Sequence, residues 1–197
     1  MFKFFFNQFL LFAPKEKKDD REICYVVGLR RYTTVFLDLL ILLLLLYATS
    51  YGFNYLFASR NDKEVLKVMK KYSMQVPLTQ EEVIIKGKQI KLVLVNQLIQ
   101  LSVLFLYIIS MWVKFAATPA KLLFGFRIVD EVTLQKITFG QAVKRLFASA
   151  LSATPLFLGF IWANFDKRGR AWHDRIAGTV VVTSKSLRDY YRSKDSA

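Results

Sequence analysis

Thr33 to Phe57 reads TTVFLDLLILLLLLYATSYGFNYLF, and this stretch decides the fold class. Its 25 residues are enough to cross a bilayer with some tilt. The run from Leu39 to Leu46 holds only leucine and isoleucine. Asp38 is the single formally charged side chain in the stretch. A carboxylate at membrane depth costs roughly 2.5 to 3.5 kcal/mol on insertion scales, so Asp38 is expected to have a partner or a role. Arg31 lies seven residues earlier, two helical turns back on the same face.

The rest of the chain agrees with a membrane setting. Of 197 residues, 54% are hydrophobic and 15% aromatic, and the mean hydropathy is +0.29. The formal charge is +14. In a soluble chain that charge would point to nucleic acid. Here the cations lie between apolar segments, which points to anionic lipid headgroups and topology control, and to no nucleic acid. Cys24 is the only cysteine, which excludes an internal disulfide and fits a reducing face such as that of a bacterial inner membrane.

The N-terminal MFKFFFNQFLLFAP is apolar from Phe2 to Ala13 but too short to span. With one early lysine and no small-residue cleavage site, it is expected to be an interfacial anchor rather than a removable signal. KEKKDDRE, Lys15 to Glu22, reads as a solvated linker. The domain reading is therefore an interfacial segment and linker over 1–24, a membrane domain over 25–184 and a polar C-terminal tail over 185–197. After the first span, a connector runs from about Ala58 to Lys91. Val65, Leu66, Val68 and Met69 give its Asn61–Tyr72 part helical apolar spacing. Thr79 and Glu82 form a capping box for the next helix, which carries a second apolar run, Leu92 to Val113. On that helix Asn96, Gln100, Tyr107, Ser110 and Lys114 follow one face; on the first, Arg31, Thr34, Asp38, Leu45 and Thr49 do the same. Two such stripes either glue the helices together by hydrogen bonds or line a wet cavity.

A third apolar region, Leu146 to Phe165, has Thr154 and Pro155 near its middle, where a helix would break. Two β-branched segments flank it, Phe124–Val129 and Thr179–Thr183. If they pair, the region between them enters and leaves on one side as a re-entrant hairpin; otherwise it is a third span. Lys and Arg number 7 before the first helix, 8 between the two helices, 6 from Lys114 to Arg145 and 8 after Phe165. A hairpin puts 21 of them on one face and 8 on the other, whereas three crossings give 13 against 16. The positive-inside rule favours the hairpin and a cytoplasmic N-terminus. The expected fold is all-α and integral to the membrane: two spanning helices, a re-entrant hairpin or third span, and a small two-stranded element on the basic face.

Three blocks carry a resemblance. They are GLRRYTTVFLDLLIL (Gly28–Leu42), TPAKLLFGFRIVD (Thr118–Asp130) with ITFGQAVKR (Ile137–Arg145), and FDKRGRAWHDRIAGTVVV (Phe165–Val182). In this order they resemble the RDD family of small membrane proteins, named for one arginine and two aspartates. The resemblance implies that the arginine is Arg31 and the first aspartate Asp38. The second is Asp174, with Asp166 as its rival. The family's usual TPGK is TPAK here, with Ala120, which would alter any tight turn the glycine serves. The resemblance also implies a transport-type role, with cation/proton exchange in some members.

On the exchanger reading, Asp38, Arg31 and Asp174 form the ion or proton path, with Thr34, Asn96, Gln100, Tyr107 and Asp166 as possible lining. Burial opposes ionisation of Asp38 while Arg31 favours it, which suits a carboxylate that changes protonation. The competing reading is a structural Arg31–Asp38 network at the membrane edge, with Asp174 paired to Arg170 four residues earlier. His173 is the only histidine, and nothing has metal-ligand spacing, so no metal or other cofactor is expected. No Walker A, GxGxxG or GxSxG element occurs, and no enzyme is expected. The alternative to a transporter of small cations or protons is a non-catalytic adaptor or assembly factor for other membrane proteins. At this size a homo-oligomer is also in view.

Overall fold

The structure is a computed structural model that describes residues 17–18, 22–57, 62–155 and 158–196. The anchor expected at the N-terminus lies outside the described residues. Two helices are long and apolar enough to cross a membrane, Leu29–Phe57 and Gln80–Leu123. Only 6% of each apolar window is buried within the chain, so Leu44, Tyr51, Leu98 and Leu106 point outward. A side chain so exposed along an apolar helix is satisfied by lipid and not by water.

The chain divides into two compact units. The first comprises the residues up to Leu40 together with those from Tyr107 on; the second is Ile41–Leu106. In the second unit, α1 (Leu29–Phe57) continues to its end, followed by α2 (Asp62–Ser73) and most of α3 (Gln80–Phe115). α2 keeps the expected amphipathic spacing and buries Val68. Thr79 and Glu82 make the capping box, each accepting from the other's backbone N–H, at 3.3 and 3.0 Å. Lys71 pairs with Glu82 at 2.6 Å.

The first unit holds a four-stranded sheet in the order β1-β2-β4-β3. Its strands are β1 (Lys17–Lys18), β2 (Cys24–Tyr25), β3 (Phe126–Asp130) and β4 (Thr179–Thr183). β3 and β4 pair antiparallel from Phe126 opposite Thr183 to Asp130 opposite Thr179. The expected pair of strands is present, and two short N-terminal strands widen it; Lys17 and Lys18, read as linker, belong to the sheet. Ile23, Tyr25, Val129, Leu134, Val180 and Val182 form the core on which Leu187 and Tyr190 pack. Those last two come from α8 (Ser184–Asp195), so the polar tail is a helix docked on the sheet by its apolar face.

Between β3 and β4 lie α5 (Phe139–Ala153), α6 (Leu158–Ile161), a 3₁₀ turn (Trp162–Asn164) and α7 (Trp172–Ala177); α4 (Pro119–Leu123) precedes β3. α5 opens with the Thr138/Gln141 capping box and ends before Thr154 and Pro155. The axes of Phe139–Ala153 and Leu158–Asn164 meet at 113°. A third span exists only if that bent pair is counted as one. A Cβ on Gly159 would stand 2.6 Å from the Ser152 Cα, so the two limbs touch where only glycine fits. Gly178, expected as a helix C-cap, closes α7 with φ +63°.

Candidate functional site

Charged residues from all three sequence blocks gather into two clusters in the first unit, each with a member on α1. The first is built around Asp38. Its Oδ1 accepts the backbone N–H of Ala120 at 2.9 Å, and its Oδ2 accepts the Lys121 ammonium at 2.9 Å and the Thr118 hydroxyl. The local sequence explains this. Thr118 is the extended N-cap residue of α4 but makes no cap bond of its own, and Pro119 presets the first helical φ. Asp38 thus supplies the N-cap oxygen from a different helix. Ala120 is fully buried and helical, with no positive φ, so alanine in place of the family's glycine leaves this turn intact.

The second cluster is built around Asp174, which has no exposed surface. Its Oδ2 accepts from Arg31 and, at 2.8 Å, from the Ala171 N–H at the start of α7. Its Oδ1 faces Arg145 of α5 at 2.5 Å. Burial pushes this carboxyl up, but Arg145 and Arg31 outweigh it and hold the pKa well below the usual range. Arg31 also donates to the Gly169 carbonyl at 2.7 Å, and Arg145 to the Thr179 hydroxyl at 2.5 Å. Two guanidiniums against one carboxylate leave an excess positive charge, and the Trp112 ring lies 5.3 Å from Arg145 Cζ to receive part of it.

His173 closes the cluster. Its Nε2 lies 3.4 Å from Arg31 Nη2, which can only donate, and its Nδ1 lies 3.3 Å from Ser152 Oγ. The partners therefore assign a neutral ring with the proton on Nδ1. Burial pulls its pKa down to about 3, with the Arg145, Arg31 and Lys121 charges adding to the effect against Asp174. Ser152 Oγ also accepts the His173 backbone N–H at 3.1 Å.

This geometry corrects two expected pairings. Arg31 does not pair with Asp38; it pairs with Asp174, and Asp38 pairs with Lys121. Seven residues put Arg31 and Asp38 on one face but about 10 Å apart along the axis, so each finds its own partner. Asp174 does not pair with Arg170. Arg170 instead grips Asp166 through Nε and Nη2, both at 3.0 Å, and Glu131 at 2.5 Å. Asp166 also accepts the Arg168 and Arg170 N–H groups, so it locks the 166–170 loop outside both clusters. Thr34 is buried and donates to the Arg31 carbonyl of its own helix. In the second unit, Asn96 donates to Ser50 at 3.2 Å and the Gln100 amide meets the Thr49 hydroxyl at 3.2 Å. The Tyr107 hydroxyl is buried and has no partner among the described residues.

Sequence reasoning missed Arg145, Lys121 and Ser152 as site residues. The signal for Arg145 was its place in the small-residue stripe Ala142–Arg145–Ala148–Ser152, all buried, at steps of three, three and four. Among the described residues no three His, Cys, Asp or Glu side chains gather as a metal site.

Comparison with known proteins identifies the family. The RDD family model matches residues 25–178. An uncharacterized protein of Rickettsia prowazekii (strain Madrid E) is 36% identical over 97 residues, 48% of this chain. The chain spans about half the length of that relative, 54%. No solved structure matches the chain. With the family model spanning both charge clusters and both apolar helices, the chain belongs to the RDD family and is a membrane protein.

Proposed function

We propose that this chain is a non-catalytic membrane adaptor or assembly factor, whose named arginine and aspartates build the scaffold and carry no ions. The observation that supports this reading is that both carboxylates are held by groups of the chain itself. Asp38 and Asp174 each receive a fixed cation of the chain itself and a backbone N–H at the start of a helix. An ion path needs a carboxylate that can exchange its partner, and a second acid facing it would serve that end. The groups facing Asp38 are a lysine, a threonine and an amide. The outward apolar faces of α1 and α3 then meet lipid or the helices of other membrane proteins.

The test is reconstitution in liposomes with a pH-sensitive dye, under gradients of sodium, potassium, lithium and calcium. We expect no cation-dependent proton movement. Crosslinking in the native membrane should trap a defined membrane-protein partner, and Asp38→Asn should weaken the fold rather than any flux. Cation-driven proton flux that vanishes in Asp38→Asn would overturn the proposal in favour of an exchanger. One observation favours that second reading: the buried Tyr107 hydroxyl, without a partner among the described residues, could pass a proton. Tyr107→Phe separates the two, since it removes the hydroxyl and leaves the scaffold.

A further inference from the structure

A separate cavity of about 750 Å³ opens in the first unit, between the start of α1, the end of α4, the strand ends at one end of the sheet and α8. Four cations line it, Arg30, Arg127, Lys185 and Arg188, against two acids, Glu22 and Asp189. Among the described residues the surplus is two positive charges. Neither Arg31, Asp38, Asp174 nor Lys121 is among its walls. Its apolar side is Leu122 and Phe124.

The position of this cavity says what could reach it. Arg30 is the second residue of the span Leu29–Phe57, and Leu122 is the last but one of the span Gln80–Leu123. Both apolar segments therefore end at its rim. Leu123, beside it, is 80% exposed, as a side chain in contact with acyl chains would be. A ligand seated here meets charge on one side and hydrocarbon on the other. Guanidinium groups match a phosphate oxygen pair, and Lys185 and Arg188 are exposed enough to close on it.

We propose that this cavity is a binding site for the phosphate headgroup of an anionic phospholipid. The arrangement differs from a general basic surface in having walls from four elements and an apolar flank where both spans end. Free phosphate shares the charge but has no use for Leu122 and Phe124.

The full chain, purified in detergent, should be titrated calorimetrically with short-chain phosphatidylglycerol, short-chain phosphatidylcholine and inorganic phosphate. Phosphatidylglycerol should bind saturably and at least tenfold more tightly than either of the others. In Lys185→Gln with Arg188→Gln, binding should weaken about fivefold for each cation removed. Both side chains are exposed, so the melting temperature should not move. Arg127→Gln, which enters from β3, should weaken binding in the same way, while Lys88→Gln with Lys91→Gln should leave it unchanged. Equal binding of the two lipids, retention of phosphatidylglycerol affinity by the cavity variants, or inorganic phosphate binding as tightly as the lipid would each overturn the proposal.

Discussion

Asp174 is the counterion of two buried guanidiniums, and its loss should be felt more than that of any exposed acid. Asp174→Asn keeps the shape but leaves Arg31 and Arg145 facing each other without charge compensation. Breaking such a pair from one side costs about 3 to 5 kcal/mol. Arg170→Ala, at the partly exposed loop pair, should cost about 1 kcal/mol. Thermal melts of the purified variants in detergent check this order, and equal losses would contradict it. His173 gives a second, pH-dependent expectation. The folded ring resists protonation down to about 3, whereas an exposed ring titrates near 6.5. Above 6.5 both states are neutral and the residue has no effect on the pH dependence. Below it the unfolded chain takes up a proton that the folded chain refuses, so stability falls with pH by at most about 1.4 kcal/mol per unit. Asp174 acts in a lower window. Its depressed pKa adds stability above the unfolded value of 3.8 that is lost only in stronger acid. Melting temperature should therefore drop between about pH 6.5 and 4.5, and His173→Gln should flatten that drop.

Among the elements, the bent pair of α5 and α6 comes into close contact at Gly159. A methyl on Gly159 meets Ser152 Cα, Cβ and backbone oxygen, all within 3 Å, and Ser152 in turn holds His173. Gly159→Ala should cost about 1 to 3 kcal/mol through overpacking. Gly140→Ala, in the first turn of α5 with open space at its Cβ, should be neutral or slightly stabilising. If the two substitutions melt alike, the contact is not what holds the two limbs together. The elements themselves were largely legible in the sequence, because caps and periodicity are local. Thr79 with Glu82, Gly178 and the β-branched Thr179–Thr183 run all behave as their types dictate. Boundaries were less legible: hydropathy marked the second span from Leu92, while the helix begins at Gln80. Apolar runs record contact with lipid, and a helix continues through Lys86, Lys88 and Lys91 without needing it. The partners were not legible at all. A helical face restricts the direction of Arg31 and Asp38 but says nothing about which later segment meets each of them.

For the molecule as a whole, β3 and β4 settle neighbouring ends of the third apolar region into one sheet. A sheet lies on one side of a bilayer, so reporters near Gln135 and after Ser186 should read the same side. With the charge split of 21 against 8, fusions after Tyr25, near Pro77, near Gln135 and after Ser186 should read in, out, in, in. Opposite readings at Gln135 and Ser186 would require the region to span. The long reach of the Arg31–Asp174 pair, 143 residues, also fixes an order of events during synthesis. At 5 to 20 residues per second the ribosome takes roughly 7 to 30 s to make the partner after Arg31 has emerged. Asp38 waits a shorter time, since Lys121 follows it by 83 residues. The first helix thus enters the membrane with both charges unmatched, and the clasp can close only once those 143 further residues have been made. A chain that stops short of Asp174 is left with an unmatched arginine near the start of its first helix, so it should be less resistant to proteolysis than one that reaches Asp174.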